Sequence, residues 1–368
     1  MQLRIPGPTP VPPEVLQAGT KQMINHRGKE FAVLIQSITA RLKELFVTKN
    51  DLYLLTGSGT GALEASIVNT LSPGDKVLGV TIGEFGERYL DIAKTFGADL
   101  VRMDVEYGTP ADPDGIRRAL QATPAIKTIM ITHNETSTGI TNDIRAVGRI
   151  AREFDKLLLV DSVSGIGSLL YPVDEWGGDI VSTSSQKGWM TPPGLAMVSV
   201  SAKAWEFNKV AKMPRSYWDL GAAKSYLAKD QTPWTPAVSV MYAMDKGLDL
   251  MMQEGLANVQ ARHARIARTI RNGVKDMGLQ LLARDESYAS NTVTAIRVPE
   301  GINAGDLLRT IRADSDIELA TGQGSLAGKI FRIGHLGWIT DEDARIILDG
   351  IAQALPKVGF KAGAVAGR

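Results

Sequence analysis

Three short segments of this 368-residue chain carry residue types that could do chemistry. Lys187 lies in Ser182-Thr183-Ser184-Ser185-Gln186-Lys187-Gly188, small polar residues after an apolar stretch, with Pro192-Pro193-Gly194 beyond. Most lysines in such loops are solvated cations. One held in a cleft is desolvated, loses proton affinity and becomes a nucleophile toward an aldehyde. Asp161 closes Leu158-Leu159-Val160 and opens Ser162-Val163. Alone it reads as a turn or helix-capping acid; the functional alternative is a carboxylate that pairs with a protonated ring nitrogen. Thr56-Gly57-Ser58-Gly59-Thr60-Gly61 precedes a helical stretch, where free backbone N–H groups attract an anion such as phosphate. A plain tight turn explains the glycines equally well. Nucleotide loops fit them poorly, because the spacing is not Gly-x-Gly-x-x-Gly and no Lys-Ser/Thr pair follows.

The elements that must position these residues follow from hydrophobic spacing. Short apolar runs at 52–55, 76–80, 100–103, 128–132 and 156–160 predict strands, and 62–71, 87–96, 113–121 and 144–154 have helical period. Such alternation predicts an α/β fold with a mostly parallel sheet covered on both faces. Runs at 180–182 and 196–200 add two strands with no helix between them, making seven. Asp161 then sits at the carboxyl edge of the sheet, where parallel-sheet proteins bind ligands. Residues 237–277 read as one long helix. Strands at 292–296 and 330–333 and helices at 304–312 and 341–354 predict a smaller C-terminal α+β domain. The expected division is an extended proline-rich arm over 1–18, a large domain over 19–254 and a small domain over 255–368. The Gly/Ala-rich tail, 360–368, is expected to fray.

Composition narrows the class. Lys plus Arg number 41 against 40 for Asp plus Glu, which leaves no footprint for nucleic acid or an anionic membrane. No uncharged apolar run is long enough to span a bilayer, and prolines interrupt the start where an export signal needs apolar residues. A cytoplasmic protein is expected. Cysteine is absent, so disulfides, thiolate metal sites and cysteine nucleophiles are excluded, and no metal site is expected.

The three segments together are more specific than any one of them. A phosphate cradle, an acid for a pyridine nitrogen and an amine for a Schiff base are the requirements of pyridoxal phosphate. At this point the chain resembles the class V aminotransferases of fold type I, in particular the alanine–glyoxylate and serine–glyoxylate (serine–pyruvate) group. The resemblance runs nearly end to end. It is carried by Pro6-Gly7-Pro8-Thr9, His26-Arg27-Gly28-Lys29-Glu30-Phe31, the run from Gly57 to Ala65, and His133-Asn134-Glu135-Thr136-Ser137-Thr138-Gly139. Asp161-Ser162-Val163-Ser164, Ser185-Gln186-Lys187 and Phe331-Arg332-Ile333-Gly334 complete it.

The resemblance implies Lys187 as the Schiff-base lysine and Asp161 as the acid facing the pyridine nitrogen. It implies Ser58, Gly59, Thr60 and Gln186 as the phosphate site, although relatives often carry His where Thr60 stands. Phe85 is implied as the ring stacked on the cofactor, Val163 as its opposite wall, and Thr136 as a neighbour of the phenolic oxygen. Arg332 is implied as the grip on the substrate carboxylate; without the resemblance it reads as surface charge. Thr235 is implied to reach the phosphate from a neighbouring subunit, hence a homodimer. His133 reads as structural, His263 as solvated on a charged helix, and His26 and His335 carry no assigned chemistry.

The implied activity moves the amino group of a small amino acid, alanine or serine, to glyoxylate or pyruvate by a ping-pong cycle. The small donor rests on a single arginine clamp with no evident second one. Phosphoserine, aminoethylphosphonate and ureidoglycine aminotransferases, and lyases, share the fold and stay open. A cysteine desulfurase is excluded by the missing cysteine. A Rossmann-type dehydrogenase explains the alternation and the glycines, but not Asp161-Ser162-Val163 or Ser185-Gln186-Lys187.

Overall fold

A computed structural model describes residues 1–361; from residue 362 onward the tail expected to fray lies outside the described residues. The expected α/β architecture is present. Seven strands form the main sheet: β1 Asp51–Gly57, β2 Lys76–Thr81, β3 Asp99–Asp104, β4 Thr128–Thr132, β5 Leu157–Asp161, β6 Ile180–Ser184 and β7 Gly194–Val200. Their order is β1-β7-β6-β5-β4-β2-β3, and only β7 runs antiparallel to its neighbours. The short turn between β6 and β7 causes that reversal, since a parallel pair needs a crossover of a dozen residues or more.

Pleating divides the central strands between two cores. Ile129, Ile131, Leu158 and Val160 pack on one face with the helices Lys29–Leu45 and Val238–Glu254. Met130, Leu157 and Leu159 pack on the other with Gly59–Val68 and Glu84–Thr95. The edge strand β3 instead exposes Asp99 and Asp104, charges that discourage edge-to-edge pairing. Register brings the chemistry together: Thr132 lies beside Asp161, and Asp161 beside Ser182, all at the carboxyl edge.

A second, three-stranded antiparallel sheet orders Val293–Arg297, Ile330–Gly334 and Ala320–Thr321. Leu256–Asp276, Ala304–Ser315 and Asp341–Lys357 cover it around Ile270, Phe331 and Ile347. Arg332 sits on its central strand.

Several expectations need correction. The arm is extended only in part, because Pro13–Ala18 is helical; proline suits a first helical turn, where its missing N–H costs nothing. Gln2–Leu3 pairs in parallel with Ile317–Glu318, tying the arm to the second sheet. The long helix over 237–277 is two helices, broken at Gly255 with φ +84°, a conformation hydrophobic spacing does not reveal. The helix expected from residue 62 begins at Gly59, so the glycine run is its first turn rather than a loop before it. Lys29–Leu45, for which no helix was expected, buries Phe31, Leu34, Ile35, Ile38 and Leu42 at helical spacing.

Candidate active site

A cavity of about 310 Å³ opens at the carboxyl edge of β5 and β6, against the start of helix Gly59–Val68. Asp161 and Val163 reach it from the end of β5, and Gln186 and Lys187 from the turn after β6. Ser58, Gly59 and Thr60 enter from the helix start, and Phe85 from the helix Glu84–Thr95. Eight of the residues singled out in the sequence therefore border one space.

The helix start is built for a guest. Ser58 occupies the capping position but makes no capping hydrogen bond, so its hydroxyl and the first-turn N–H groups remain available. Gly59 is needed for close approach: a Cβ there would stand 2.7 Å from Val163 Cγ2 and 3.1 Å from Ser184 Oγ. Phe85 is held by the carboxylate of Glu135, which accepts from the backbone N–H groups of Phe85 (3.3 Å) and Gly86 (3.0 Å). Arg88 lies over the Phe85 ring, 4.8 Å from its centroid, and itself borders the cavity.

Burial sets the electrostatics. Lys187 is 9% exposed, and desolvation pulls its ammonium down to about 8 against the opposing attraction of Asp161; Arg332 and Arg88 lower it further. Its Nζ donates to the Pro6 carbonyl at 2.7 Å and lies 5.9 Å from the Phe85 centroid. Desolvation pushes the Asp161 carboxyl up to about 7, partly offset by the Val163 N–H that Oδ1 accepts at 2.9 Å. Arg332 is 5% exposed, and burial lowers it to about 10. No carboxylate pairs with Arg332 among the described residues; its donors go to the carbonyls of Thr321 and Thr136 and to Gln323 Oε1. A buried cation held only by neutral acceptors is incompletely compensated and attracts an anion.

Three predicted residues stand outside the lining. Arg332 lies behind Gln323, which does border the cavity. Thr136 is buried, and its carbonyl accepts from Arg332 Nη1 at 3.1 Å. Thr235 is exposed and does not reach the cavity of its own chain. Gly7, Pro8, Arg88 and Gln323 border the cavity without having been singled out for it. Gly7 had a signal in the Pro-Gly-Pro run: a Cβ there would overlap the Lys187 side chain. Arg88 and Gln323 had none, since a charged helix residue and a loop amide look the same anywhere on a surface. His263 is not solvated. It is fully buried, its Nε2 accepting from the Gly337 N–H at 3.0 Å and its Nδ1 bonding the Val259 carbonyl at 2.7 Å. His133 is buried behind Asp161, with Nδ1 2.9 Å from Ser162 Oγ and its N–H donated to the Asp161 carbonyl, consistent with a supporting position.

The residues fit pyridoxal phosphate on their own chemistry. The Ser184 hydroxyl beside Gly59 is buried without a partner and can donate, and the helix start offers further donors to a phosphate. An acid driven toward neutrality by burial is the partner a protonated ring nitrogen needs, because that cation would hold it ionised. A desolvated amine beside it suits an aldehyde.

Comparison with known proteins gives the same result. The family description aminotransferase class-V matches residues 3–337. The L-aspartate–glyoxylate aminotransferase of Paracoccus denitrificans is 40% identical, covering 95% of this chain and 89% of that protein. The serine–glyoxylate aminotransferase of Methylorubrum extorquens is 36% identical, covering 98% of this chain and 92% of that protein. The crystal structure of pyridoxamine–pyruvate aminotransferase from Mesorhizobium loti superposes with a TM-score of 0.95 at 31% identity, over 98% of this chain and 93% of that one. A desolvated lysine, a buried strand-end acid and a helix start with free N–H groups border one cavity, and the chain belongs to the class V aminotransferases, pyridoxal-phosphate-dependent transaminases.

Proposed function

We propose that this transaminase moves the amino group of alanine or serine to glyoxylate or pyruvate, with Lys187, Asp161 and Arg332 as its principal residues. The observation that carries the reading is a buried lysine on the cavity wall with depressed proton affinity, and behind that wall a buried arginine without a carboxylate partner among the described residues. Bound there, pyridoxal phosphate would supply an aldehyde for amines and a ring that takes up the electron pair left at the substrate α-carbon.

The chain's own residues do the rest. Ser58, Gly59, Thr60 and Gln186 hold the phosphate, while Phe85 and Val163 form apolar walls that keep water from the reacting atoms. Thr136, whose carbonyl accepts from Arg332, would neighbour the phenolic oxygen. Asp161 keeps a proton on the ring nitrogen by holding its own negative charge beside it. Lys187, neutral once its ammonium has lost a proton, would take the proton from the substrate α-carbon and, from the same side, deliver it to the cofactor carbon that carried the aldehyde. Arg332 binds the α-carboxylate beside Gln323 Oε1, which keeps its bond to Nη1, and so fixes which bond at the α-carbon faces Lys187.

A homodimer in the cytoplasm completes the proposal. Its support is Thr235, exposed in its own chain beside the stacked rings of Tyr217 and Trp234, whose centroids are 6.1 Å apart. A domain boundary after residue 254 accompanies it, supported by the break at Gly255.

A second reading, an acidic donor such as aspartate, is favoured by Arg88. This arginine borders the cavity and lies over the Phe85 ring, where it offers a second cation to a distal carboxylate. A donor-by-acceptor screen on cofactor-loaded protein decides between them, read by loss of the cofactor's visible absorbance and by oxo-acid release. Fastest turnover of serine or alanine with glyoxylate supports the proposal. Preference for aspartate installs the second reading, and no absorbance change with any donor sinks both.

A further inference from the structure

Gln323 has a geometry that its neighbours do not. It stands on the connection between Ala320–Thr321 and Ile330–Gly334, half-buried, on the border of the cavity that also contains Lys187 and Phe85. Its Oε1 accepts from Arg332 Nη1 at 3.2 Å. Guanidinium only donates, so this bond fixes which end of the amide faces Arg332 and turns Nε2 away from it. Nε2 makes no hydrogen bond to any described residue, and it is not among the sealed polar atoms lacking a partner. Two N–H donors are thus left open beside the grip for the substrate carboxylate.

We infer that Gln323 is a specificity-determining residue that offers Nε2 to an acceptor on the β-carbon of the amino donor. The inference rests on the reading of Arg332 as the carboxylate grip. A donor whose carboxylate is at Arg332 has its α-carbon one bond further on, and the β-substituent is the next group able to meet an adjacent side chain. Serine presents a hydroxyl oxygen there and alanine presents nothing. A site that loses a polar partner discriminates more sharply than one that loses a methyl contact. Gln323 thereby favours hydroxylated or acidic donors over purely aliphatic ones, while Arg332 treats all α-carboxylates alike.

The test compares serine with 2-aminobutyrate, which replaces the hydroxyl by a methyl of similar size. In the cofactor-loaded wild type, kcat/KM for serine should exceed that for 2-aminobutyrate. In Gln323→Leu the ratio should fall about fivefold or more, the worth of one hydrogen bond. Gln323→Asn, which keeps the amide but shortens its reach, should recover part of it. Binding of the unreactive acids glycerate and 2-hydroxybutyrate, followed by calorimetry, should show the same loss of hydroxyl preference. A serine/2-aminobutyrate ratio within twofold of wild type in Gln323→Leu overturns the inference. If no donor reacts even with wild type, the aminotransfer reading has failed separately. The glycerate/2-hydroxybutyrate ratio then decides for or against Gln323.

Discussion

Burial changes what each polar group at the cavity can do, and the clearest consequences belong to single residues. Lys187 ordinarily holds its proton until pH 10.5; burial brings that down to about 8. Below about 8 the group is ammonium and inert, and above it is a nucleophilic amine. Capture of pyridoxal phosphate by cofactor-free protein should therefore speed up as pH rises through about 8, followed by stopped-flow absorbance. A midpoint near 10.5 would show that the lysine is solvated after all. Lys187→Ala should lose turnover while still retaining cofactor through the phosphate contacts, and full activity in that variant would remove Lys187 from its role. Arg332→Lys keeps the charge but loses the planar fork. It should raise KM for donors and acceptors together by about tenfold or more, on the order of one charge-assisted hydrogen bond, with a smaller effect on kcat in steady-state assays.

At the scale of elements, the helix Gly59–Val68 is sensitive to change at its first turn, which is closely packed and is the proposed anion site. Gly59→Ala would press a methyl between Val163 and Ser184, and a shift of either neighbour disturbs the cradle. Cofactor affinity should drop by about tenfold, with a stability loss of about 1–3 kcal/mol read from denaturant midpoints. Loss of stability with unchanged cofactor affinity would separate the helix start from the phosphate. The strands were legible because their residues are apolar in runs; that β7 is the antiparallel member was not read from the sequence, and the structure shows it. Lys29–Leu45 shows the limit. Its spacing was regular enough to predict a helix, yet only the segment from His26 to Phe31 drew notice, and that for its likeness to a family. Gly255 shows another, since a single left-handed residue leaves hydrophobic period undisturbed on either side.

Across the whole molecule, the N-terminal arm connects distant parts. Gln2–Leu3 pairs with Ile317–Glu318, the Arg4 carbonyl accepts from the Gly334 N–H at 2.7 Å, and Pro6 receives the Lys187 amine. The strand that carries Arg332 and the turn that carries Lys187 are thus joined through three residues of chain, Arg4, Ile5 and Pro6. Thr235 belongs to this scale as well. If it completes the phosphate site of a second copy, Thr235→Ala should weaken cofactor binding about fivefold by titration. Sedimentation should give twice the 39.6 kDa chain mass. A monomer with full cofactor affinity would rule out the shared site.

The sequence by itself determined the chemistry on offer. Residue type decides which groups can be nucleophile, acid or anion cradle, and hydrophobic period decides the strands and helices that carry them. Lys187, Asp161 and the glycine run were therefore visible before any coordinates. Only the tertiary structure decided which solitary polar residues matter. Gln323, Arg88 and His263 carry no local pattern, and their character comes from neighbours distant in the chain: a buried guanidinium, an aromatic ring, a backbone N–H of the facing loop. Burial is a property of packing, and packing is where a common side chain acquires an uncommon role.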